Sequence, residues 1–142
     1  MISTLYTDAT WDQTRRRGGW AIWCRSDSGR IVKYGPVPSY VEDNNVAEFS
    51  AIFAGIHIIR TEWSQTTMIV LKTDSQAALN VINGDNEPWS TGARRLQQKV
   101  KTALGNTKLR ASWVKGHQRG SSVPAWLNNK VDQLAKRGVR RA

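Results

Sequence analysis

The sequence predicts an α/β fold, a mixed β-sheet with helices packed on its faces. Two observations carry that expectation. Within the first 37 residues, three strand-like segments are separated by Gly18-Gly19 and Ser26-Asp27-Ser28-Gly29, and connections this short join antiparallel neighbours. From residue 44 onward, helix-period and strand-period segments alternate, so right-handed crossovers return the later strands parallel to the first. The 142 residues, 39% of them apolar, suffice for one core and show no linker composition, so a single domain spanning 1–142 is expected.

Residues 3 to 8, 19 to 25 and 30 to 37 are the three opening strands. From Asn44 to about Arg60 the period becomes helical: Glu48, Ala51, Ile52, Gly55, Ile56 and Ile59 recur at three- and four-residue spacing, with Phe49 and Phe53 beside them. Met68 to Thr73 is a short apolar strand that ends at Asp74, and a helix over 75 to 82 stops near Asn83-Gly84. Residues 91 to 104 form an amphipathic helix with Ala93, Leu96, Val100 and Ala103 inward and Arg94, Arg95, Lys99 and Lys101 outward. Leu109, Ala111 and Trp113 alternate as a strand, Lys115 to Ser122 read as a loop, and Pro124 opens a last helix with Leu127, Val131, Leu134 and Ala135 inward. The order is β-β-β-α-β-α-α-β-α.

No apolar run approaches 18 residues, which argues against a membrane-spanning helix. The N-terminus enters a strand without the basic and apolar regions of a secretory signal. Cys24 is the lone cysteine, so neither a disulfide nor a cysteine zinc site forms within one chain. Its setting, Trp20-Ala21-Ile22-Trp23-Cys24, suits a buried apolar filler. A reducing, cytoplasmic location and a monomer are expected. The 21 Lys and Arg against 11 Asp and Glu leave a net charge of +10, which suits a polyanionic partner and solubility alike.

Against that basic background, four acidic residues stand where a side chain is expected to face inward: Asp8, Glu48, Asp74 and Asp132. Glu48 lies on the apolar face of its helix, where a carboxylate is costly unless a proton, a cation or a metal neutralises it. Asp74 sits at the carboxyl end of a strand, where open α/β sheets place their ligands. Two such charges about 4 Å apart repel by roughly 4 kcal/mol at an effective dielectric near 20. A raised pKa or bound cations relieve the repulsion. Oxygen-only ligands favour Mg²⁺ or Mn²⁺ over zinc, and two such ions about 3.5–4 Å apart suit in-line phosphodiester hydrolysis. His117, in a loop, has the chemistry to move a proton. His57, among Ile56, Ile58 and Ile59, reads as structural.

On these residues the chain resembles the type 1 ribonuclease H family, in the compact form without the basic protrusion. The resemblance rests on Thr7-Asp8, on Asn44-Asn45 with Glu48, on Thr73-Asp74-Ser75-Gln76, on Trp113-Val114-Lys115-Gly116-His117 and on Asn128 with Asp132. It implies a ribonuclease H-like fold with a five-stranded mixed sheet of order 3-2-1-4-5. It implies endonucleolytic cleavage of the RNA strand of RNA/DNA hybrids. It also implies Asp8, Glu48, Asp74 and Asp132 as ligands of two Mg²⁺ ions, with Mn²⁺ an alternative, and His117 as a mobile proton carrier.

Asn44, Asn45, Gln76 and Asn128 match substrate-binding positions, the first three suited to the minor groove, where amides bond base edges and the 2′-hydroxyl. Asn44 also suits a helix N-cap. Trp89 corresponds to an aromatic lining a DNA-strand channel, and a core position suits it as well. Arg94, Arg95, Lys99 and Lys101 suit DNA phosphates or water. In place of the family's glycine-containing turn the chain reads Ala9-Thr10-Trp11, and in place of the protrusion it has only residues 83 to 91. Arg15, Arg16 and Arg17, with Lys136, Arg137, Arg140 and Arg141, are the expected substitutes for hybrid grip. The competing readings are a resolvase-like nuclease on the same fold and a non-catalytic hybrid-binding module.

Overall fold

The sheet is built outward from strand β1 (Ile2–Asp12). The computed structural model describes residues 1–114 and 123–141. The other elements are β2 (Arg17–Ser26), β3 (Gly29–Pro36), α1 (Asn44–Glu62), β4 (Met68–Thr73), α2 (Gln76–Ile82), α3 (Thr91–Leu104), β5 (Lys108–Trp113) and α4 (Val123–Arg141). The five strands lie in the order β3-β2-β1-β4-β5. β2 runs antiparallel to both of its neighbours, β1 and β3, whereas β4 joins β1 in parallel and β5 joins β4 in parallel. This is the mixed sheet that the sequence predicts.

The two-residue period of the strands separates two cores. Leu5, Ala9, Ile22, Cys24, Ile69 and Leu71 point to one side and meet Phe49, Ile52, Ile56 and Ile59 of α1, with Leu96 and Val100 of α3 behind them. Tyr6, Ala21 and Trp23 point to the other side, where Leu127, Val131 and Ala135 of α4 cover them. Two glycines allow the helices to come close. A Cβ on Gly55 would lie 2.5 Å from Leu5 Cδ1, and one on Gly138 would lie 2.8 Å from the Gly35 carbonyl oxygen and 3.0 Å from Gly19 Cα. Cys24 is fully buried, and burial pushes its thiol up to about 12, consistent with a filler.

The first strand is longer than the expected 3 to 8. Its parallel ladder with β4 ends at Tyr6↔Lys72, but antiparallel pairing with β2 continues through Asp8↔Ala21 to Asp12↔Arg17. Asp8 is therefore inside the strand, just beyond the last rung shared with β4. The cap of α1 is Asp43, whose Oδ1 accepts the Val46 N–H at 2.8 Å, so the expectation that Asn44 caps the helix is corrected by one residue. His57 is exposed, its ring 5.9 Å from that of Phe53.

Candidate metal centre

Three chain segments deliver carboxylates to the edge where the β1–β4 ladder stops. Asp8 comes from β1. Asp74 follows β4, in a turn set by the Ser75 N–H donating to Thr73 Oγ1 at 3.2 Å, and Ser75 then caps α2 through the Ala78 N–H at 3.2 Å. Glu48 lies in the second turn of α1 and is held inward by Val46, Phe49 and Ile52, which are buried on either side of it. Carboxylate oxygens of Asp8, Glu48 and Asp74 all lie within 4.8 Å of one another.

The burial of this group is unusual for its charge. Asp8 is 3% exposed and Glu48 7%. Burial, reinforced by Asp74 and then Asp132, pushes the Asp8 carboxyl up to about 8. Glu48 is likewise held well above the ordinary carboxylate range, by burial first and then by Asp8 and Asp74. The Ala9 N–H donates to Asp8 Oδ1 at 2.9 Å, which offsets part of the cost of its charge. Asp8 and Glu48 also share a hydrogen bond that favours charge on Asp8 and a proton on Glu48. Glu48 Oε2 is nonetheless buried without a hydrogen-bond partner among the described residues. A buried orphan oxygen among crowded carboxylates fits a divalent cation, because a cation supplies the missing contact and removes the repulsion together.

Asp132 stands beside the trio, near enough to raise Asp8. Its Oδ2 lies 3.5 Å from Lys136 Nζ, one turn further along α4. The structure thus brings three of the four expected ligands together and holds the fourth at the flank beside a lysine. Lys136 as a partner of Asp132 was not drawn from the sequence, although the four-residue spacing would have revealed it. Asn128, one turn before Asp132, is 4% exposed, and its buried Oδ1 has no hydrogen-bond partner among the described residues. His117 lies outside the described residues.

Asn44 and Asn45 are exposed at the start of α1. Gln76, the first residue of α2, is exposed and donates from Nε2 to Asn80 Oδ1 at 3.0 Å. Trp89 is 38% exposed with its ring 6.2 Å from that of Phe49, so it is both a packing and a surface residue. On α3, Arg95 and Lys99 lie over the Tyr40 ring at 4.7 and 5.4 Å, an aromatic anchor not singled out in the sequence. Arg15, Arg16 and Arg17 lie at the β1–β2 hairpin. Arg15 pairs with Asp12 at 3.9 Å, Arg16 adopts a left-handed φ of 52°, and Arg17 is half-buried.

The family model for RNase H matches residues 2–140. The chain belongs to the RNase H family. The Ribonuclease H of Neisseria meningitidis serogroup C is 26% identical over 146 residues, covering 95% of this chain and 93% of that one. The Ribonuclease H of Bradyrhizobium diazoefficiens is 27% identical over 158 residues, covering 99% and 92%. Solved RNase H family members share the fold. RNase H1 of the halophilic archaeon Halobacterium salinarum superposes with a TM-score of 0.75 at 20% identity, covering all of both chains. LC11-RNase H1, solved in complex with an RNA/DNA hybrid, gives 0.78 at 12% identity over 98% of this chain and 97% of that one. The five-stranded sheet described above is therefore that of an RNase H family fold.

Proposed function

We propose that this chain, acting as one domain over residues 1–142, hydrolyses the RNA strand of RNA/DNA hybrids with two divalent cations. The observation that carries the proposal is the meeting of Asp8, Glu48 and Asp74 within 4.8 Å in a chain of net charge +10 that belongs to the RNase H family. A pure binding module has no use for a buried negative cluster facing a polyanion. Asp8, Glu48 and Asp74 hold the cations, and Asp132 completes the set from α4. Mg²⁺ or Mn²⁺ held by these carboxylates would supply activation of the attacking water and stabilisation of the departing oxygen.

The residues of the chain perform the remaining tasks. Asp8 is aimed by the Ala9 N–H. Glu48 is rigid because the α1 core surrounds it, and it gives up its proton as a cation enters. His117 carries a proton during product departure. Asn44, Asn45 and Gln76 present exposed amides to the minor groove, where the 2′-hydroxyl distinguishes RNA. Asn128 supports substrate from α4, while Trp89 and the basic face of α3 take the DNA strand. Arg15, Arg16 and Arg17 add phosphate contacts at the β1–β2 hairpin. Among the described residues no helix is long and apolar enough to cross a membrane, and we place the enzyme in the cytoplasm as a monomer.

The test is cleavage of end-labelled RNA/DNA hybrid, duplex RNA, duplex DNA and branched DNA with Mg²⁺, Mn²⁺ or chelator, alongside Asp8→Asn. Metal-dependent loss of the hybrid's RNA strand alone, absent in the variant, is the expected result. Cutting of branched DNA instead would replace the proposal with a resolvase-like one. A hybrid bound but left whole would make the chain a binding module.

A further inference from the structure

The α4 side of the sheet is only partly covered. Leu127, Val131 and Ala135 seat α4 on Tyr6, Ala21 and Trp23. The next row toward the opposite end of the sheet reads, by register, Arg30, Arg25, Thr4, Val70 and Arg110 across all five strands. Paired residues share a face, so three arginines emerge on one side in a single row. Strand spacing spreads them over about 19 Å. Met68 and Lys108 follow in the row beyond, beside Ile2. Arg25, Arg30, Lys108 and Arg110 are exposed, as is Ile2 at 57%. None of these four cations makes an ion pair among the described residues.

Two features separate this patch from an ordinary solvated surface. Arg25 and Arg30 are direct cross-strand partners, an arrangement of like charges that lowers stability. No aspartate or glutamate stands in these rows to relieve it; Asp27 lies in the turn beyond them. The patch is also continuous with the carboxylate edge. Lys72 shares the face, two residues before Asp74, and its Nζ donates to Ser112 Oγ at 2.9 Å on β5. From the Asp8 level to the arginine row is four residues of strand, about 13 Å. Lys72, Ser112 and Arg110 therefore line a path from the candidate metal centre down β4 and β5 to a broad cationic floor.

We propose that this floor, formed by Arg25, Arg30, Lys108 and Arg110, is a second backbone-binding surface that holds nucleic acid extending beyond the carboxylate edge. The inference rests on the reading of the chain as a hybrid nuclease and identifies a grip in the sheet itself. Its chemistry is that of phosphate neutralisation. Flexible guanidinium and ammonium groups on a flat sheet, without a groove for base edges, bind backbone regardless of sequence.

The experiment compares the wild-type chain with Arg25→Gln/Arg30→Gln/Arg110→Gln, and with Arg110→Glu alone in case the triple variant misfolds. Binding is read with chelator present, on a hybrid of one helical turn and on one of three turns, over a range of salt. Cleavage of the one-turn hybrid with Mg²⁺ is read separately. The three-turn hybrid should bind the triple variant about tenfold more weakly, with a slope of log K against log salt shallower by about 2. The one-turn hybrid should bind and be cut as by the wild type. Unchanged affinity and slope on the long hybrid would overturn the surface while cleavage of the short one upholds the nuclease reading. If neither protein cuts the short hybrid but the length-dependent difference persists, the nuclease reading fails and the surface stands. Arginine-dependent binding to phosphatidylserine vesicles with unchanged hybrid affinity would assign the patch to membranes and overturn the proposal.

Discussion

Glu48 and Asp132 reach the same edge of the sheet from helices on opposite faces, yet they carry their charges in different ways. Glu48 is 7% exposed, belongs to the α1 core and has an oxygen with no hydrogen-bond partner among the described residues. Asp132 is half-buried and has Lys136 beside it at 3.5 Å. One carboxylate relies on a proton or a cation from solution, whereas the other has a cation supplied by its own helix. Without a cation, charge is therefore costly at Asp8 and Glu48, and less so at Asp132 with Lys136 beside it.

The largest effect expected on that contrast is on catalysis. Asp8→Asn should lower the rate of hybrid hydrolysis about a thousandfold, equivalent to roughly 4 kcal/mol of transition-state stabilisation, in a single-turnover assay with Mg²⁺. Glu48→Gln should reduce activity comparably and yet raise the melting temperature of the metal-free protein near pH 8. The amide is neutral without taking up a proton, which spares a cost of about 1–3 kcal/mol there. Asp132→Asn should leave the metal-free melting temperature within a degree or two, since the pair it loses is partly exposed. Equal melting shifts for the two variants would erase the distinction between them.

A pH series sharpens the same comparison. Asp8 is raised from 3.8 to about 8, so the folded chain keeps a proton that the unfolded chain has released. The stability that this proton contributes is complete below about pH 4 and is lost as pH rises through 8. Between pH 5 and pH 8, metal-free protein should therefore melt at progressively lower temperature, by at most about 1.4 kcal/mol per pH unit for each proton held. Saturating Mg²⁺ should flatten the dependence, and calorimetry in buffers of different ionisation enthalpy should detect proton release on metal binding.

Smaller effects concern the flank. Lys136→Ala should change stability by no more than about 0.5 kcal/mol, as expected for an exposed four-residue pair. By removing one ammonium from beside Asp132 it should tighten Mg²⁺ binding about two- to threefold in titration calorimetry. Neutralising Arg15, Arg16 and Arg17 together should flatten the salt dependence of hybrid binding; an unchanged slope would remove the β1–β2 hairpin from the interface.

The element order and the separation into two cores were legible in the sequence because both follow from local periodicity. Leu5 and Tyr6 fall into different cores through the alternation of a strand, and Leu127, Val131 and Ala135 share one face through the period of a helix. The acidic residues stood out for a related reason: in a basic chain, Glu48 lies on an apolar helix face and Asp74 at the carboxyl end of a strand. The cap at Asp43 rather than Asn44 was not legible, since both are good caps and the choice depends on which backbone N–H each can reach.

Only the tertiary structure decided what lies between elements. That β1 continues past Asp8 follows from pairing of Ala9–Asp12 with Arg17–Trp20, a contact between strands that neither sequence alone specifies. That Glu48 is buried against Asp8 depends on how closely α1 sits on the sheet, set at Gly55 by its contact with Leu5, whereas Lys136 reaches Asp132 within α4 itself. The arginine row is likewise a product of register. Arg25, Arg30 and Arg110 are unremarkable positions along the chain, and only hydrogen bonding across five strands aligns them. Periodicity determines which way a side chain faces, whereas register and helix distance, which arise from contacts remote in sequence, determine what it meets there.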